Sequence, residues 1–161
     1  MTETVAAIVA AHRAGTASPE QTVARSFQRI RDHGDPAIFI SLRDEQDALA
    51  EAKALARQGA EKLPLFGVPV AVKDNIDAQG LATTAACPAF SYLPAQDSTA
   101  VARLRAAGAI VIGKTNLDQF ATGLVGVRSP YGIPKNPVRA DLVPGGSSSG
   151  SAVAVSAGLV P

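Results

Sequence analysis

Lys73 is the first residue whose position suggests chemistry, because it stands directly after the apolar, β-branched run of residues 65–72. A lysine at the rim of a hydrophobic core loses part of its hydration, which lowers its pKa and lets it act as a general base near neutral pH. An ordinary lysine at the exposed end of a strand fits the same position, since lysine is rarely buried. Taken alone, the position favours the ordinary lysine.

The loop of residues 145–151 contains four serines and three glycines and leads directly into an Ala/Val-rich segment. Such a loop at a helix N-terminus suits a phosphate, but the Walker pattern needs a lysine before the Ser or Thr, which Gly150-Ser151 does not supply. A serine held close to a deprotonated lysine can instead lose its proton and work as a nucleophile or relay. A flexible linker has a similar composition, but it would not run straight into a well-patterned helix. We therefore favour a functional loop, which would work with Lys73 only if the two meet in space.

Other candidate residues carry weaker signals. Lys114 follows the second apolar strand, and we expect a surface charge there rather than the polar lining of a site. Cys87 has no histidine near it in the sequence, so we expect a small buried hydrophobe rather than a nucleophile. His12 and His33 lie in helical segments and are expected at the surface. We predict no metal site, because no ligand spacing joins the aspartates at positions 74, 77, 97 and 118.

The composition excludes several classes of protein. The 161 residues are 47% hydrophobic and 18% charged, which suits one folded domain rather than a disordered chain. A formal net charge of +1 leaves no basic footprint for nucleic acid, and no apolar run approaches the ~20 residues that span a bilayer. The N-terminus lacks a signal-peptide pattern, and the single cysteine cannot form an intrachain disulfide. We therefore expect a cytoplasmic protein that binds neither nucleic acid nor membranes.

The first part of the chain has the pattern of a helical leader that serves as scaffold. In the Ser18-Pro19-Glu20-Gln21 sequence, serine caps a helix, proline begins it and glutamine completes a capping box. Apolar residues then recur at spacings of four and three, which is one helical stripe. The predicted elements are helices over residues 4–14, from Pro19 to the break at Gly34, and over 44–57, with a strand over 37–42.

From residue 64 the pattern changes to strands that alternate with helices. The predicted elements are strands over residues 65–72 and 109–113 and helices over residues 99–107, 117–121 and 152–157. Pro69 places the first strand at an edge or makes it irregular, since proline cannot donate to a sheet. The alternation predicts an α/β layer fold with a largely parallel or mixed sheet. Polar clusters after both strands predict a ligand site beyond one edge of that sheet.

Three segments together resemble the N-terminal part of amidase signature enzymes. They are GVPVAVKDN at residues 67–75, GAIVIGKTN at 108–116 and PGGSSSGS at 144–151, in the order that the family has them. The resemblance extends over residues 64–161, and the helical leader also fits. Within the family, DQFATGLVGVRSPYG at 118–132 and GDPAIFIS at 34–41 are most similar to the allophanate hydrolase subgroup.

The resemblance implies a fold and a domain organisation. The chain would be the N-terminal, incomplete portion of a single amidase domain, in which a helical leader precedes a mixed sheet with helices on both faces. Residues 1–62 would form the leader, and residues 63–161 would form the start of the α/β catalytic core. The resemblance also allows a homodimer in the complete enzyme.

The resemblance further implies a Ser-cisSer-Lys triad, which needs no cofactor and no metal. Lys73 would be the general base and Ser147 the relay serine, joined to Gly146 by a cis peptide bond. The residues implied in substrate binding, one facing the substrate and two supporting the loop, are Gly123, Ser148 and Ser149.

In the family, the nucleophilic serine and the backbone amides of the oxyanion hole follow shortly after the last matched segment, whereas this sequence ends at Pro161. We therefore expect the 161-residue chain to be an N-terminal fragment of an amide hydrolase that is inactive alone. The complete enzyme would act on a small amide or ureide. For the allophanate hydrolase subgroup, allophanate would yield ammonia and carbon dioxide in urea degradation, downstream of urea carboxylase.

Three other interpretations stay open. The amidase subunit of a glutamyl-tRNA amidotransferase would show glutaminase activity or a tightly held partner subunit. A non-catalytic chain whose Gly/Ser loop binds an anion would show stabilisation by phosphate that persists after Lys73→Ala. A truncated product without a stable fold would expose apolar sheet edges and melt without cooperativity.

Overall fold

A computed structural model describes residues 3–57 and 62–161 of the chain. Residues 58–61, which fall within the predicted leader, and the first two residues lie outside this described part. The helices are α1 (Val5–Arg13), α2 (Pro19–His33), α3 (Glu45–Arg57), α4 (Thr99–Ala106) and α5 (Ser149–Ser156). The strands are β1 (Phe39–Leu42), β2 (Pro69–Lys73) and β3 (Ile110–Thr115).

The helical leader forms as its local signals predict. The Thr4 hydroxyl caps α1 by accepting from the Ala7 backbone N–H. At α2 both halves of the capping box are present, because Ser18 and Gln21 each accept from the other's backbone N–H. The helix ends at Gly34, whose left-handed backbone, with φ of 67°, is readily adopted by glycine.

The sheet is mixed, with strand order β1-β3-β2. The central strand β3 pairs antiparallel with β1 and parallel with β2, and all six of its residues are buried. Pro69 begins β2 at an edge of this sheet, and the register shifts between Val70 and Ala71. The expected irregularity is therefore present, and β2 is an edge strand of the sheet that the described residues form, where a residue without an N–H is tolerated.

Helices cover both faces of the sheet, as predicted. On one face, Ile110 and Ile112 of β3 pack into a core cluster with residues of α2, α3 and α5. On the other face, Val111 packs with Val101 of α4 and Val72 of β2. This alternation follows from the strand geometry, in which successive side chains point to opposite faces. In the described ranges, no helix is both long and apolar enough to cross a bilayer.

Some element boundaries differ from the predictions for identifiable reasons. The apolar run at 65–72 starts as a turn, in which the Gly67 N–H donates to Gly108 O, and the strand begins only at Pro69. The predicted helix over 117–121 is a three-residue 3-10 turn, Gln119–Ala121. The N–H groups of Gln119 and Phe120 donate to distant carbonyls at Arg128 and Ala85, so tertiary bonds replace the helical ones.

Candidate functional site

Strands β2 and β3 end side by side, which brings their polar clusters to one edge of the sheet. Lys73, the last residue of β2, is the register partner of Thr115, the last residue of β3. The next residue, Asp74, extends the contact, because its backbone N–H donates to Thr115 O at 3.0 Å. Parallel strands place their carboxyl ends together, and ligands bind at such edges in α/β folds.

Lys73 and Ser147 meet at this edge. The Lys73 Nζ donates to Ser147 Oγ over 2.7 Å, although the two residues are 74 positions apart in sequence. Both side chains are half-buried. Burial lowers the pKa of the Lys73 ammonium from its ordinary value, and the negative charge of Asp118 opposes that shift. The spatial pairing that the sequence left conditional is therefore present.

The loop that carries Ser147 has a backbone shaped by glycines. The peptide bond between Gly146 and Ser147 is cis, as the resemblance implied. A Cβ atom at Gly146 would lie 2.2 Å from Asp118 Oδ2 and 2.5 Å from Gly126 N. Only a residue without a side chain fits that space, so the Gly/Ser composition is a packing requirement here rather than a sign of a flexible linker.

The first turn of α5 is joined to the end of β3. The Gly150 N–H donates to Asn116 O over 3.0 Å, and the hydroxyls of Thr115 and Ser151 lie 2.6 Å apart. A Cβ atom at Gly150 would lie 2.3 Å from Ile38 O, which shows how closely the two backbones approach. These contacts fix where the helix begins and therefore where Ser147 lies relative to β2.

Asp118 holds a position in the site that was not predicted, because the aspartates were weighed only as metal ligands. Asp118 is fully buried, and its backbone N–H donates to Ser147 O over 2.9 Å. Its carboxylate accepts from the N–H groups of Gly126 at 2.9 Å and Arg128 at 2.8 Å. An acidic residue five positions after the apolar run of residues 109–113 was the available signal, since such a residue requires polar partners if it is buried.

The three residues implied in substrate binding have different environments. Gly123 is buried against Asp118, where a Cβ atom would lie 2.2 Å from Asp118 Cγ. Ser148 is exposed at the N-cap of α5, whereas Ser149 is fully buried. Ser148 and Ser149 directly follow Ser147 in the loop, Gly123 packs against Asp118, and the roles of all three towards a substrate stay predictions.

Lys114 is not the surface charge that its position suggested. It is fully buried, its Nζ lies 3.4 Å from Asp74 Oδ1, and it donates to Ala82 O and Thr83 Oγ1. Burial lowers the pKa of Lys114, and the attraction of Asp74 opposes the shift. The prediction was wrong because the partners that make burial of this ammonium tolerable come from a different segment of the chain.

His12 was also wrongly expected at the surface. Its ring is buried, with Nδ1 2.8 Å from Phe66 O and Nε2 2.7 Å from Thr22 Oγ1. His33 is exposed, as predicted. Cys87 is free and half-buried rather than fully buried.

Within residues 3–57 and 62–161, no group of three or more His, Cys, Asp or Glu side chains is arranged to hold a metal ion. The chemistry that the arrangement supports is proton transfer. A lysine with a lowered pKa can accept a proton from a hydroxyl at 2.7 Å, once it is neutral.

Comparisons with known proteins show which proteins the chain is similar to. Urea amidolyase of Saccharomyces cerevisiae is 57% identical over 149 residues, which cover 89% of this chain and 8% of that protein. A glutamyl-tRNA(Gln) amidotransferase subunit from Geobacillus thermodenitrificans is 45% identical over 144 residues, or 86% of this chain and 30% of that protein. The structure of Kluyveromyces lactis allophanate hydrolase superposes with a TM-score of 0.86 at 46% identity and covers 99% of this chain.

The chain spans a minor part of these relatives, including 26% of the allophanate hydrolase chain whose structure it matches. The family described as Amidase matches residues 21–161, which include Lys73, Ser147 and the loops that join them. With the matched residues, the mixed α/β fold and these similarities in agreement, the chain belongs to the amidase signature family.

Proposed function

We propose that residues 1–161 supply the base and the relay of an amide hydrolase that uses a Ser-cisSer-Lys triad. The observation that carries the proposal is the 2.7 Å contact between Lys73 Nζ and Ser147 Oγ. The half-buried position of Lys73 supports a neutral amine, because desolvation penalises the ammonium form and so lowers the pKa. Lys73 is the general base, and Ser147 passes protons between it and a nucleophile.

We place the nucleophilic serine outside the 161 residues, on the basis of the family pattern. In the catalytic cycle, Lys73 takes the proton of Ser147 while Ser147 takes the proton of that nucleophile, whose oxygen attacks the amide carbonyl. Lys73 then returns its proton to Ser147 while Ser147 gives its own to the amide nitrogen, so that the C–N bond breaks and ammonia leaves. Water then hydrolyses the acyl-enzyme and restores the serine. Residues 1–161 alone therefore release no ammonia.

Allophanate is the substrate that we propose. Its support is the higher identity to urea amidolyase, 57%, than to the amidotransferase relative, 45%. Hydrolysis of allophanate yields ammonia and carbon dioxide and would consume the product of urea carboxylase in the cytoplasm. The second candidate is a glutaminase that serves tRNA amidation, and the 45% identity over 144 residues favours keeping it.

The test uses the protein isolated from its own cells, at whatever length the cells produce it. Ammonia release from allophanate is measured for the unaltered protein and for Lys73→Ala and Ser147→Ala. Loss of a positioned acid–base group costs roughly 10²–10⁴-fold in rate, so both variants should lose nearly all activity. Two exposed residues of the same types, in Lys53→Ala and Ser91→Ala, are the matched controls and should keep full activity.

Retention of most activity by Lys73→Ala would rule out the relay assignment. Release of ammonia from glutamine but not from allophanate would select the amidotransferase interpretation. Ammonia release by the purified 161-residue chain, abolished by Lys73→Ala, would show that the nucleophile lies within these residues.

A further inference from the structure

Asp118 lies where the loop of the relay serine meets the loop of residues 123–128. Its backbone N–H donates to Ser147 O over 2.9 Å, while its carboxylate accepts from the Gly126 and Arg128 N–H groups. The side chain is fully buried. A buried carboxylate needs such donors, because charge without partners is strongly disfavoured away from water. One residue therefore connects the two loops through both its main chain and its side chain.

Two glycines leave the space that this carboxylate fills. A Cβ atom at Gly123 would lie 2.2 Å from Asp118 Cγ, and one at Gly146 would lie 2.2 Å from Asp118 Oδ2. Gly146 directly precedes Ser147, so the carboxylate packs against the backbone that presents the relay hydroxyl. Because close-packed groups cannot move independently, the position of Asp118 helps to set the position of Ser147.

Asp118 is also the acid whose charge acts on Lys73. Burial lowers the pKa of the Lys73 ammonium, and the Asp118 carboxylate acts in the opposite direction. On neighbouring elements, Asp74 and Lys114 pair with each other, and α5 carries no charged residue. Helix α2 also packs on β2, and its three arginines form ion pairs with glutamates. Arg25 and Arg29 pair with Glu3, and Arg31 pairs with Glu45.

We propose that Asp118 is a positioning residue for the Lys73–Ser147 pair. Asp118 holds the relay loop in place and supplies the negative charge that acts on Lys73. The catalytic meaning of this inference rests on the proposed function. A general base works best when its pKa lies near the operating pH, and a lysine that is too easily deprotonated is a weak base. The Asp118 charge therefore keeps Lys73 basic enough to take a proton from Ser147.

The experiment follows Lys73 directly by NMR in the 161-residue chain, with ¹³C labels at the lysine ε-carbons and the aspartate γ-carbons. A Lys73→Arg variant assigns the Lys73 signal. We expect Asp118→Asn to lower the pKa of Lys73. The ¹³C signals of the exposed lysines, which are Lys53, Lys62 and Lys135, should follow pH as they do in the unaltered chain. The matched control is Asp141→Asn, which alters an exposed aspartate and should leave the pKa of Lys73 unchanged.

Amide exchange tests the positioning role in the same samples. An asparagine keeps one acceptor oxygen where Asp118 has two, so either the Gly126 or the Arg128 N–H should exchange roughly tenfold faster. An unchanged Lys73 pKa, or unchanged exchange at both amides, would overturn the proposal.

A measurement on the unaltered chain covers the case in which Asp118→Asn does not fold. The Asp118 ¹³Cγ signal should then show an inflection at the pKa of Lys73, because the two charges interact. Absence of that inflection would also overturn the proposal. All of these readouts are made without substrate, so they succeed or fail independently of whether amidase activity is found.

Discussion

Replacing Lys114 by methionine tests the buried ion pair with Asp74. Methionine keeps most of the volume of the lysine stem and removes the charge, which leaves the fully buried Asp74 without its cation 3.4 Å away. Removing one partner of a buried pair costs about 3–5 kcal/mol of unfolding free energy, because the other charge stays buried and uncompensated. We expect a loss of that size for Lys114→Met.

The double variant Lys114→Met with Asp74→Asn should be more stable than Lys114→Met alone. An asparagine still accepts from the Thr84 N–H and hydroxyl, as Asp74 does. Burial lowers the pKa of Lys114 despite Asp74, so desolvation outweighs the attraction between the two charges. The remaining loss comes from Ala82 O and Thr83 Oγ1, which lose their ammonium donor, and is about 1–3 kcal/mol.

The assay is urea unfolding of the 161-residue chain, followed by far-UV circular dichroism, for both single variants and the double variant. The free energies form a double-mutant cycle whose interaction term should be about 3 kcal/mol or more. The control cycle uses the more exposed pair Arg31 and Glu45, for which about 0–1 kcal/mol is expected. Additive losses at Lys114 and Asp74, equal to the sum of the two single variants, would refute the reasoning.

Three further predictions concern proton transfer and local stability. The pKa of Lys73 is lowered from 10.5, and the base must be neutral to accept a proton. The rate of ammonia release should therefore rise with pH through the lowered pKa and then level off. A rate that falls over that range would contradict the assignment of Lys73 as the base. His12→Ala should lower the free energy of unfolding in urea by about 1–3 kcal/mol, because it leaves the buried Phe66 O and Thr22 Oγ1 unsatisfied. The control His33→Ala, at an exposed histidine, should change that free energy little. Equal effects of the two variants would argue against the buried network around His12. Ser18→Ala should lower stability by about 0.5–2 kcal/mol through loss of the α2 cap, and an unchanged urea midpoint would show that the cap contributes nothing.

Local signals determined much of the fold. The start of α2 followed from Ser18 and Gln21, and its end followed from Gly34, because capping depends on residues within one turn of each other. The edge position of β2 followed from Pro69, since a missing N–H constrains a strand wherever it occurs. Lys73 and the Gly/Ser loop were recognised from residue type and from the order of three motifs, without any knowledge of distance.

Tertiary structure decided which polar groups are buried. Lys114 is buried because Ala82, Thr83 and Asp74 converge on its ammonium, and His12 is buried because Phe66, 54 positions away, approaches its ring. These partners come from other segments, so no window of sequence around either residue contains the reason for its burial.

The same division runs through the candidate site. Sequence identified Lys73 and Ser147 as residues suited to proton transfer, but their 2.7 Å contact depends on the parallel pairing of β2 with β3 and on the contacts that hold α5 to Asn116. Asp118 was not recognised, because its contacts to Ser147, Gly126 and Arg128 are ones that only the folded loops create. Residue types determined the available chemistry, and the close approach of distant backbones decided which of those residues lie together.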